Sequence, residues 1–247
     1  MFLVTGPTGS GKTVSLYTGI NILNKADINI STAEDPVEIN LPGVNQVQID
    51  EKTGMDFPKA LKAFLRQDPD IILVGEIRDI TTGGIAVKAA QTGHMVMSTL
   101  HTNDGPQTLT RLQDMGVQSF AVATSINLIT AQRLLRRLNP ENRVEIEMPD
   151  DALRKEDFPE EMIKAGMQLY GPGEETEENP GYKGRAGIYQ VMPISEDLKR
   201  LIIEEANAVQ LADQAAKEGV WDIRRSGLQK VADGITSLAE VNRVTVE

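Results

Sequence analysis

The amino-acid sequence predicts an α/β protein whose first part is a mainly parallel sheet flanked by helices. Three observations support this class. Short apolar runs alternate along residues 1–138 with segments whose apolar side chains recur at helical spacing. The run Ile71–Val74 has four consecutive aliphatic residues, as expected of a strand buried on both faces. A glycine-rich turn joins the first apolar run to the first helical segment.

The elements of this first part follow one another in alternation. The strands other than Ile71–Val74 are Phe2–Val4, Ile28–Ala33 and His94–His101, and residues 43–54 are interpreted as irregular. Asp104 is predicted to cap the fourth helix. The helices predicted from the 3.6-residue period are Val14–Lys25, Met55–Arg66, Thr81–Thr92, 104–115 and Phe120–Leu138.

A phosphate-binding loop follows the first strand, because the sequence is a complete G-x-x-x-x-G-K-T motif. The glycines allow the backbone to wrap a phosphate closely, and the backbone N–H groups point at the anion. Lys12 can reach the β- and γ-phosphates, and the Thr13 hydroxyl is placed for Mg²⁺. The predicted nucleoside triphosphate site consists of Gly6, Pro7, Thr8, Gly9, Ser10, Gly11, Lys12 and Thr13.

Acidic residues follow two of the predicted strands. The segment Glu34–Glu38 comes directly after the second strand, and Glu76 comes after the four aliphatic residues, with Gly75 giving clearance. In open α/β sheets, ligands bind at the carboxyl ends of the strands. Glu76 is therefore expected to hold Mg²⁺ together with Thr13, directly or through water.

Two further groups of charged or titratable residues are candidates for function. His94 and His101 stand at the two ends of one predicted strand, where a γ-phosphate sensor is expected, and are too far apart to chelate a metal together. Arg133, Arg136 and Arg137 stand at the end of the predicted helix Phe120–Leu138. They are interpreted either as a solvated helix C-terminus, where cations suit the dipole, or as a phosphate or subunit-interface site.

The composition changes after residue 138, which indicates further parts of the chain. Residues 139–181 contain five prolines and the acidic run Glu174–Glu178, and are predicted to form an appended, loop-rich subdomain with one short helix, Glu160–Met167. Residues 182–247 are predicted to contribute one strand and then C-terminal helices. The predicted division is therefore 1–138, 139–181 and 182–247.

Composition excludes several classes of protein. A net charge of −11 argues against a nucleic-acid-binding surface, and the absence of cysteine excludes disulfides and thiolate metal sites. No apolar run approaches the roughly 18 residues of a membrane span, and residues 1–20 lack the features of a signal peptide, so no membrane insertion is predicted. The chain starts directly ahead of its first strand, which we interpret as the start of a piece of a longer protein.

Four sequence motifs together resemble one protein family over essentially the whole chain. They occur in the order Gly6–Thr13, Ala33–Glu38, Ile72–Asp79 and Gly93–Asn103. This set is similar to the ATPases of type II secretion and type IV pili, and most similar to the pilus assembly (extension) branch. Leu65–Asp70 and Gly181–Arg185 fit the same family, and Arg78 and Arg133 fall within its motifs.

The resemblance implies a RecA-like core that binds ATP/ADP and Mg²⁺. It implies a homo-hexamer at the cytoplasmic face of the inner membrane, which drives a platform protein so that pilins enter the fibre. It assigns the polarisation of the attacking water to Glu34, the metal link to Glu76, and the coupling of nucleotide state to domain movement to His94 and His101. The sequence does not decide which of Glu34 and Glu76 is the general base; we favour Glu34.

Two departures from the family qualify this expectation. The family has additional N-terminal domains, one of which supplies arginines to the nucleotide site, so this chain alone is expected to hydrolyse ATP weakly. Many relatives also bind structural zinc through two Cys-x-x-Cys pairs. Here Asn139 and Asn142 stand at the first pair and the run Glu174–Glu178 at the second. No zinc is therefore predicted, with hydrogen bonds and packing in its place.

Four alternatives to the pilus motor remain at this point. A type II secretion ATPase shares every motif. A nucleic-acid translocase shares the core, but is disfavoured by the acidic charge and by an aromatic content of only 4%. A small-molecule kinase needs an acceptor pocket and a lid with arginines, whereas the appended region is acidic. A degenerate nucleotide-binding scaffold is opposed by the intact Lys12, Glu34 and Glu76.

Overall fold

The computed structural model describes residues 1–245 and contains two compact units. Unit 1 comprises residues 1–131 and 191–220, and unit 2 comprises residues 132–190 together with the chain from Trp221 onward. Residues 139–181, the predicted appended subdomain, lie within unit 2. The division of the chain into three parts stays a prediction.

Short strands and helices alternate through most of the described chain. The strands are β1 (Phe2–Thr5), β2 (Ile30–Glu34), β3 (Asn45–Gln48), β4 (Ile71–Val74), β5 (Met95–Leu100), β6 (Leu128–Leu138), β7 (Arg143–Ile146), β8 (Leu169–Pro172) and β9 (Tyr182–Pro193). The α-helices are α1 (Lys12–Leu23), α2 (Phe57–Phe64), α3 (Ile80–Gln91), α4 (Gly105–Asp114), α5 (Ser119–Ser125), α6 (Asp150–Lys155), α7 (Glu160–Lys164), α8 (Glu196–Ile203), α9 (Ala208–Lys217), α10 (Ile223–Ala232) and α11 (Leu238–Thr245). None of the helices within residues 1–245 is both long and apolar enough to cross a bilayer.

Seven of the strands form one sheet, in the order β3-β2-β4-β5-β1-β6-β9. Every pairing from β3 to β6 is parallel. Because side chains alternate between the two faces of a strand, Leu3 and Val4 enter different apolar cores. The core of Val4 is covered by α1, and the core of Leu3 is covered by α2–α5, α8 and α9. The predicted α/β class with a mainly parallel sheet is confirmed.

The parallel arrangement brings three of the sequence motif loops, and the end of the fourth motif around His101, to one edge of the sheet. The carboxyl ends of β1, β2, β4 and β5 meet there, and each is followed by one of the motif loops. The helix after the last of these loops starts at a side-chain cap, because Asp104 accepts a hydrogen bond from the N–H of Gln107 at 2.7 Å. The predicted cap is confirmed. Such a cap contributes about 1 kcal/mol and fixes where the loop ends.

The helix predicted over Phe120–Leu138 is wrong. The chain forms the short helix α5 and then β6, which pairs in parallel with β1. The apolar spacing suits a helix, but pairing with the sheet outweighs this local pattern, since β1 would otherwise present an unpaired edge. Arg133, Arg136 and Arg137 therefore lie on a strand, so the interpretation of these arginines as a helix C-terminus is also wrong.

The segment predicted to be irregular, residues 43–54, contains the edge strand β3. Its sequence Asn45–Gln48 is short and polar, so it carries no alternating apolar signal. Two glutamines of β3 hold the loop that follows β2. The Oε1 atom of Gln46 accepts a hydrogen bond from the N–H of Leu41 (2.6 Å), and the Oε1 atom of Gln48 accepts one from the N–H of Val37 (2.8 Å).

Unit 2 combines the antiparallel pair β7–β8 with four helices, α6, α7, α10 and α11. The short helix predicted over Glu160–Met167 forms but ends at Lys164, and α6 was not predicted because it is only six residues long. Ion pairs connect the acidic segment that contains α6 and α7 to α10. Arg224 pairs with Glu156 at 3.0 Å and Arg225 with Glu161 at 2.5 Å.

Asparagine side chains close the loop where the family's cysteine pairs would stand. Asn139 Nδ2 donates to Asn179 Oδ1 (2.8 Å) and to the backbone oxygen of Pro180 (2.9 Å). Asn142 Nδ2 donates to the backbone oxygens of Glu174 (2.9 Å) and Asn179 (2.8 Å). Asn179, which the sequence did not single out, is therefore the shared partner that joins the two ends of the loop.

Asn139→Ala is expected to lower the free energy of unfolding of unit 2 by about 1–3 kcal/mol, because it removes the hydrogen bonds of a buried side chain that close the loop. Asn139 is buried, with 3% of its surface exposed. Urea denaturation followed by the fluorescence of Trp221, the single tryptophan, measures this loss. Glu145→Ala, an exposed position on β7, is the control and should change nothing. The absence of zinc stays a prediction, which stoichiometric zinc by mass spectrometry would contradict.

Candidate active site

The loop after β1 forms a cradle for an anion at the start of α1. Gly9 and Gly11 have φ angles of 79° and 88°, in the left-handed region where a side chain would be strained. Gly11 is the N-cap of α1, so the N–H groups at the start of the helix face the loop. The eight residues predicted to bind phosphate are thus held in one turn between strand and helix.

Lys12 and Thr13, the first two residues of α1, direct their side chains to the loop and to the acidic segment. Lys12 Nζ donates to the backbone oxygens of Gly6 (2.8 Å) and Pro7 (3.1 Å). Thr13 Oγ1 donates to Glu38 Oε1 at 3.0 Å. The ammonium group therefore lies over the cradle, on acceptors that phosphate oxygens can replace.

Glu76 lies just beyond the end of β4 and is buried, with 9% of its surface exposed. Arg78 Nη2 lies 2.5 Å from Glu76 Oε1, and His101 Nε2 lies 3.6 Å from Glu76 Oε2, too far for an ordinary hydrogen bond. Within residues 1–245, Oε2 has no hydrogen-bond partner. An unpartnered buried carboxylate oxygen is costly, so this atom fits a site that a hydrated cation completes.

His101 lies among the charges of the phosphate loop and of Glu76. Burial lowers the pKa of His101 from its usual 6.5, the positive charges of Lys12 and Arg78 lower it further, and Glu76 opposes them. The imidazole is therefore neutral at pH 7 and can both donate and accept a hydrogen bond. The structure thus brings together Lys12, Glu76 and His101, three of the residues predicted to form the site.

Glu34, the predicted base, is held by donors from three elements. It is buried, with 3% of its surface exposed. Its Oε1 atom accepts from Thr32 Oγ1 (2.6 Å) and Gln46 Nε2 (3.1 Å), and its Oε2 atom accepts from the hydroxyl of Tyr17. Both oxygens are occupied, so this carboxylate forms part of the wall of the site.

Glu38 is the acidic residue that sequence reasoning quoted but gave no role. It is exposed, it accepts a hydrogen bond from Thr13, and its N–H donates to the Tyr17 hydroxyl oxygen at 3.2 Å. The available signal was its position beyond Pro36, where regular structure ends and a side chain can face the ligand.

A chain of hydroxyl groups joins the start of the phosphate loop to the segment after His101. Thr5 Oγ1 lies 2.9 Å from the backbone oxygen of Thr102 and accepts from its N–H at 3.1 Å. Thr102 Oγ1 lies 2.6 Å from Thr108 Oγ1, in α4. These residues could not be singled out from the sequence, because threonines at strand ends are common.

His94 is not brought to this site. It lies at the opposite end of β5 from His101. Its Nδ1 atom is 3.0 Å from the backbone oxygen of Ala89 and 3.2 Å from Thr92 Oγ1, at the C-terminus of α3. This position caps a helix end, remote from the phosphate loop.

Comparisons with known proteins identify relatives of this chain. The family described as "Type II/IV secretion system protein" matches residues 1–243. "Type IV pilus assembly ATPase PilB" of Pseudomonas aeruginosa is 62% identical over 245 residues, which is 99% of this chain and 43% of the relative. "Type II secretion system ATPase E" of Vibrio cholerae is 43% identical over 248 residues, which is 100% of this chain and 48% of the relative. The chain thus spans less than half the length of these curated relatives.

A solved structure supports the fold. The pilus retraction motor PilT with bound ADP covers 100% of this chain and 61% of its own, at 26% identity and a TM-score of 0.74. This likeness confirms the predicted P-loop ATPase fold.

Proposed function

The chain belongs to the type II/IV secretion system protein family, and from this premise we propose that it is the ATP-hydrolysing motor part of a type IV pilus assembly machine. It converts ATP and water to ADP and phosphate. One observation carries the proposal: the phosphate loop, the Thr13–Glu38 contact and the unpartnered oxygen of Glu76 lie at one edge of the sheet. The 62% identity to a pilus assembly ATPase supports the choice of machine.

Binding of ATP uses the cradle and the lysine above it. Every residue of Gly6–Thr13 except Pro7 has a backbone N–H group; these groups would surround the phosphates, and Lys12 would exchange its two carbonyl acceptors for phosphate oxygens. Thr13 and Glu76 would hold Mg²⁺, directly or through water, and the ion would supply charge neutralisation to the phosphates. Thr13 and Glu76 fit the role of metal ligands. Thr13 offers a hydroxyl oxygen, and Glu76 offers a buried carboxylate oxygen that accepts no hydrogen bond within residues 1–245.

Glu38, rather than Glu34, is the group that accepts the proton of the attacking water. A general base needs a free lone pair within reach of that water. Glu34 has donors on both oxygens, whereas Glu38 is exposed, and within residues 1–245 the one donor to its carboxylate is Thr13, the residue that would hold the metal. Glu34 then orients the acidic segment instead of reacting.

His101 relays the state of the nucleotide to the rest of unit 1. Its neutral ring lies between Glu76 and the charge of Lys12, so it responds to a change in either group. The next residue, Thr102, is bonded to Thr5 at the start of the phosphate loop. Arg78, paired with Glu76, belongs to the same group of charges.

The complete protein is proposed to work as a homo-hexamer at the cytoplasmic face of the inner membrane, on a platform protein. It does not bind nucleic acid or insert into the membrane, consistent with residues 141–181, which carry thirteen acidic and four basic side chains. A type II secretion motor is the second candidate, favoured by the 43% identical relative. Restoration of pili, rather than of protein secretion, in a strain lacking its own motor separates the two.

Lys12→Ala is expected to weaken ATP binding by about 10-fold or more, because it removes the only side-chain ammonium placed over the cradle in residues 1–245. Titration with a fluorescent ATP analogue in the presence of Mg²⁺ measures the change. Lys25→Ala, an exposed lysine just beyond α1, is the matched control. Equal affinities in the wild type and both variants would contradict the proposed site.

A further inference from the structure

We propose that Tyr17 is a positioning residue for ATP hydrolysis, which sets the place of Glu38 by bridging it to the buried carboxylate of Glu34. This inference rests on the proposed function. Tyr17 has no motif signature and was not a predicted site residue. Its hydroxyl group donates to Glu34 Oε2 and accepts from the N–H of Glu38 at 3.2 Å.

The helix α1 holds Glu38 at two points. Thr13 and Tyr17 are four residues apart, so they lie on the same face of the helix. Thr13 binds the carboxylate of Glu38 at 3.0 Å, and Tyr17 binds its backbone N–H. The first contact would be shared with the metal, because the Thr13 hydroxyl would offer an oxygen lone pair to Mg²⁺, whereas the second contact would not involve the ligand. The Tyr17 hydroxyl is therefore the contact from α1 that keeps Glu38 in place during turnover.

Glu34, at the other end of the bridge from Glu38, is fixed in position. Glu34 is held by Thr32 Oγ1 (2.6 Å) and by Gln46 Nε2 (3.1 Å), so it cannot follow a movement of the loop. Gln46 also donates to the backbone oxygen of Ile39 at 3.0 Å, just beyond Glu38. The buried carboxylate of Glu34 thus anchors Tyr17 on α1. It also anchors Gln46 on β3, the strand that holds the loop after β2.

The direction of the Tyr17 hydrogen bonds is also fixed. Burial, the hydrogen bond to Glu34 and the charge of Glu34 raise the pKa of Tyr17 to about 12. The phenol keeps its proton at neutral pH, and that proton goes to Glu34, because the backbone N–H of Glu38 is itself a donor. The hydroxyl oxygen is then left to accept from Glu38.

Tyr17→Phe tests the bridge, because it keeps the ring in the core of α1 and removes only the hydroxyl. In the complete protein that carries this sequence, kcat is expected to fall by about 10-fold or more, while KM for ATP stays within about threefold. Without nucleotide, amide hydrogen exchange of the segment around Glu38 is expected to become faster, and that of the phosphate loop to stay unchanged. Tyr170→Phe, in unit 2, is the matched control for loss of a tyrosine hydroxyl.

A double-mutant cycle decides whether Tyr17 acts through Glu38. Tyr17→Phe is expected to cause no further loss in a Glu38→Gln background, because the group it positions is already absent. Losses that add, or a kcat within twofold of wild type in the single variant, would overturn the inference. So would a joint loss of folding, ATP affinity and turnover, since this marks a purely structural hydroxyl. Failure of the proposed function would give a different result from failure of this inference. In that case the wild type would show no more ATP turnover than Lys12→Ala.

Discussion

Glu38→Gln is expected to reduce kcat for ATP hydrolysis by about 100-fold or more while leaving the affinity for ATP nearly unchanged. The amide keeps the size of the side chain and can still accept from Thr13, but it cannot take a proton from water. Glu38 is the exposed carboxylate in contact with Thr13, the residue proposed to hold Mg²⁺. Single-turnover kinetics and nucleotide titration on the same preparations separate chemistry from binding.

Glu34→Gln is the comparison that shows whether the loss of turnover is specific to Glu38. Its carboxylate is buried and accepts from Thr32, Gln46 and Tyr17, so the amide disturbs a hydrogen-bond network and is expected to lower kcat by only about 3- to 10-fold. Glu141→Gln, in unit 2, should have no effect. If Glu34→Gln abolished turnover and Glu38→Gln did not, the base would be Glu34, as the sequence suggested.

The motifs could be predicted because their chemistry is local. The phosphate loop has a left-handed backbone at Gly9 and Gly11, and only glycine adopts this conformation without strain. The glycines in the sequence therefore indicate the backbone geometry of the loop. Ile71–Val74 was recognised for a similar reason: a strand covered on both faces has no polar position. The placement of Glu76 after that strand then followed from the rule for parallel sheets.

Features that depend on distant partners could not be read from the sequence. The segment Leu128–Leu138 has helical spacing, yet it is a strand because β1 lies beside it in the sheet. Glu34 and Glu38 belong to one motif, and nothing in that motif tells which carboxylate is buried. The difference arises from Tyr17 on α1 and Gln46 on β3, and β3 itself was not predicted.

Glu240→Gln is expected to cause the largest loss of stability, about 3 kcal/mol at pH 7, in unit 2. The side chain of Glu240 is fully buried and joins two arginines. Its oxygens lie 2.8 and 3.0 Å from Arg136 donors and 2.7 and 2.9 Å from Arg243 donors. The Arg136 guanidinium also stacks on the ring of Tyr182, with its carbon 4.2 Å from the ring centroid. Removal of the one negative charge leaves two cations facing each other.

The pH dependence of this variant follows from the pKa of Glu240. Burial alone would raise that pKa, but the hydrogen bonds from Arg243 and Arg136 outweigh it and lower the pKa from 4.5 to about 2. A carboxyl with a lowered pKa stabilises the folded state above its unfolded pKa, and this contribution is lost as pH falls from about 4.5 towards 2. The deficit of Glu240→Gln should therefore shrink from about 3 kcal/mol at pH 7 to about 1 kcal/mol at pH 3.

Urea denaturation followed by Trp221 fluorescence at the two pH values measures this deficit, because the single tryptophan lies in the same unit as Glu240. Glu196→Gln is the control, since Glu196 pairs with Lys199 on the exposed face of α8, where solvent screens the charges and little change is expected. A deficit that is the same at pH 7 and pH 3 would mean that the packing of the side chain, rather than its charge, holds α11 to β6.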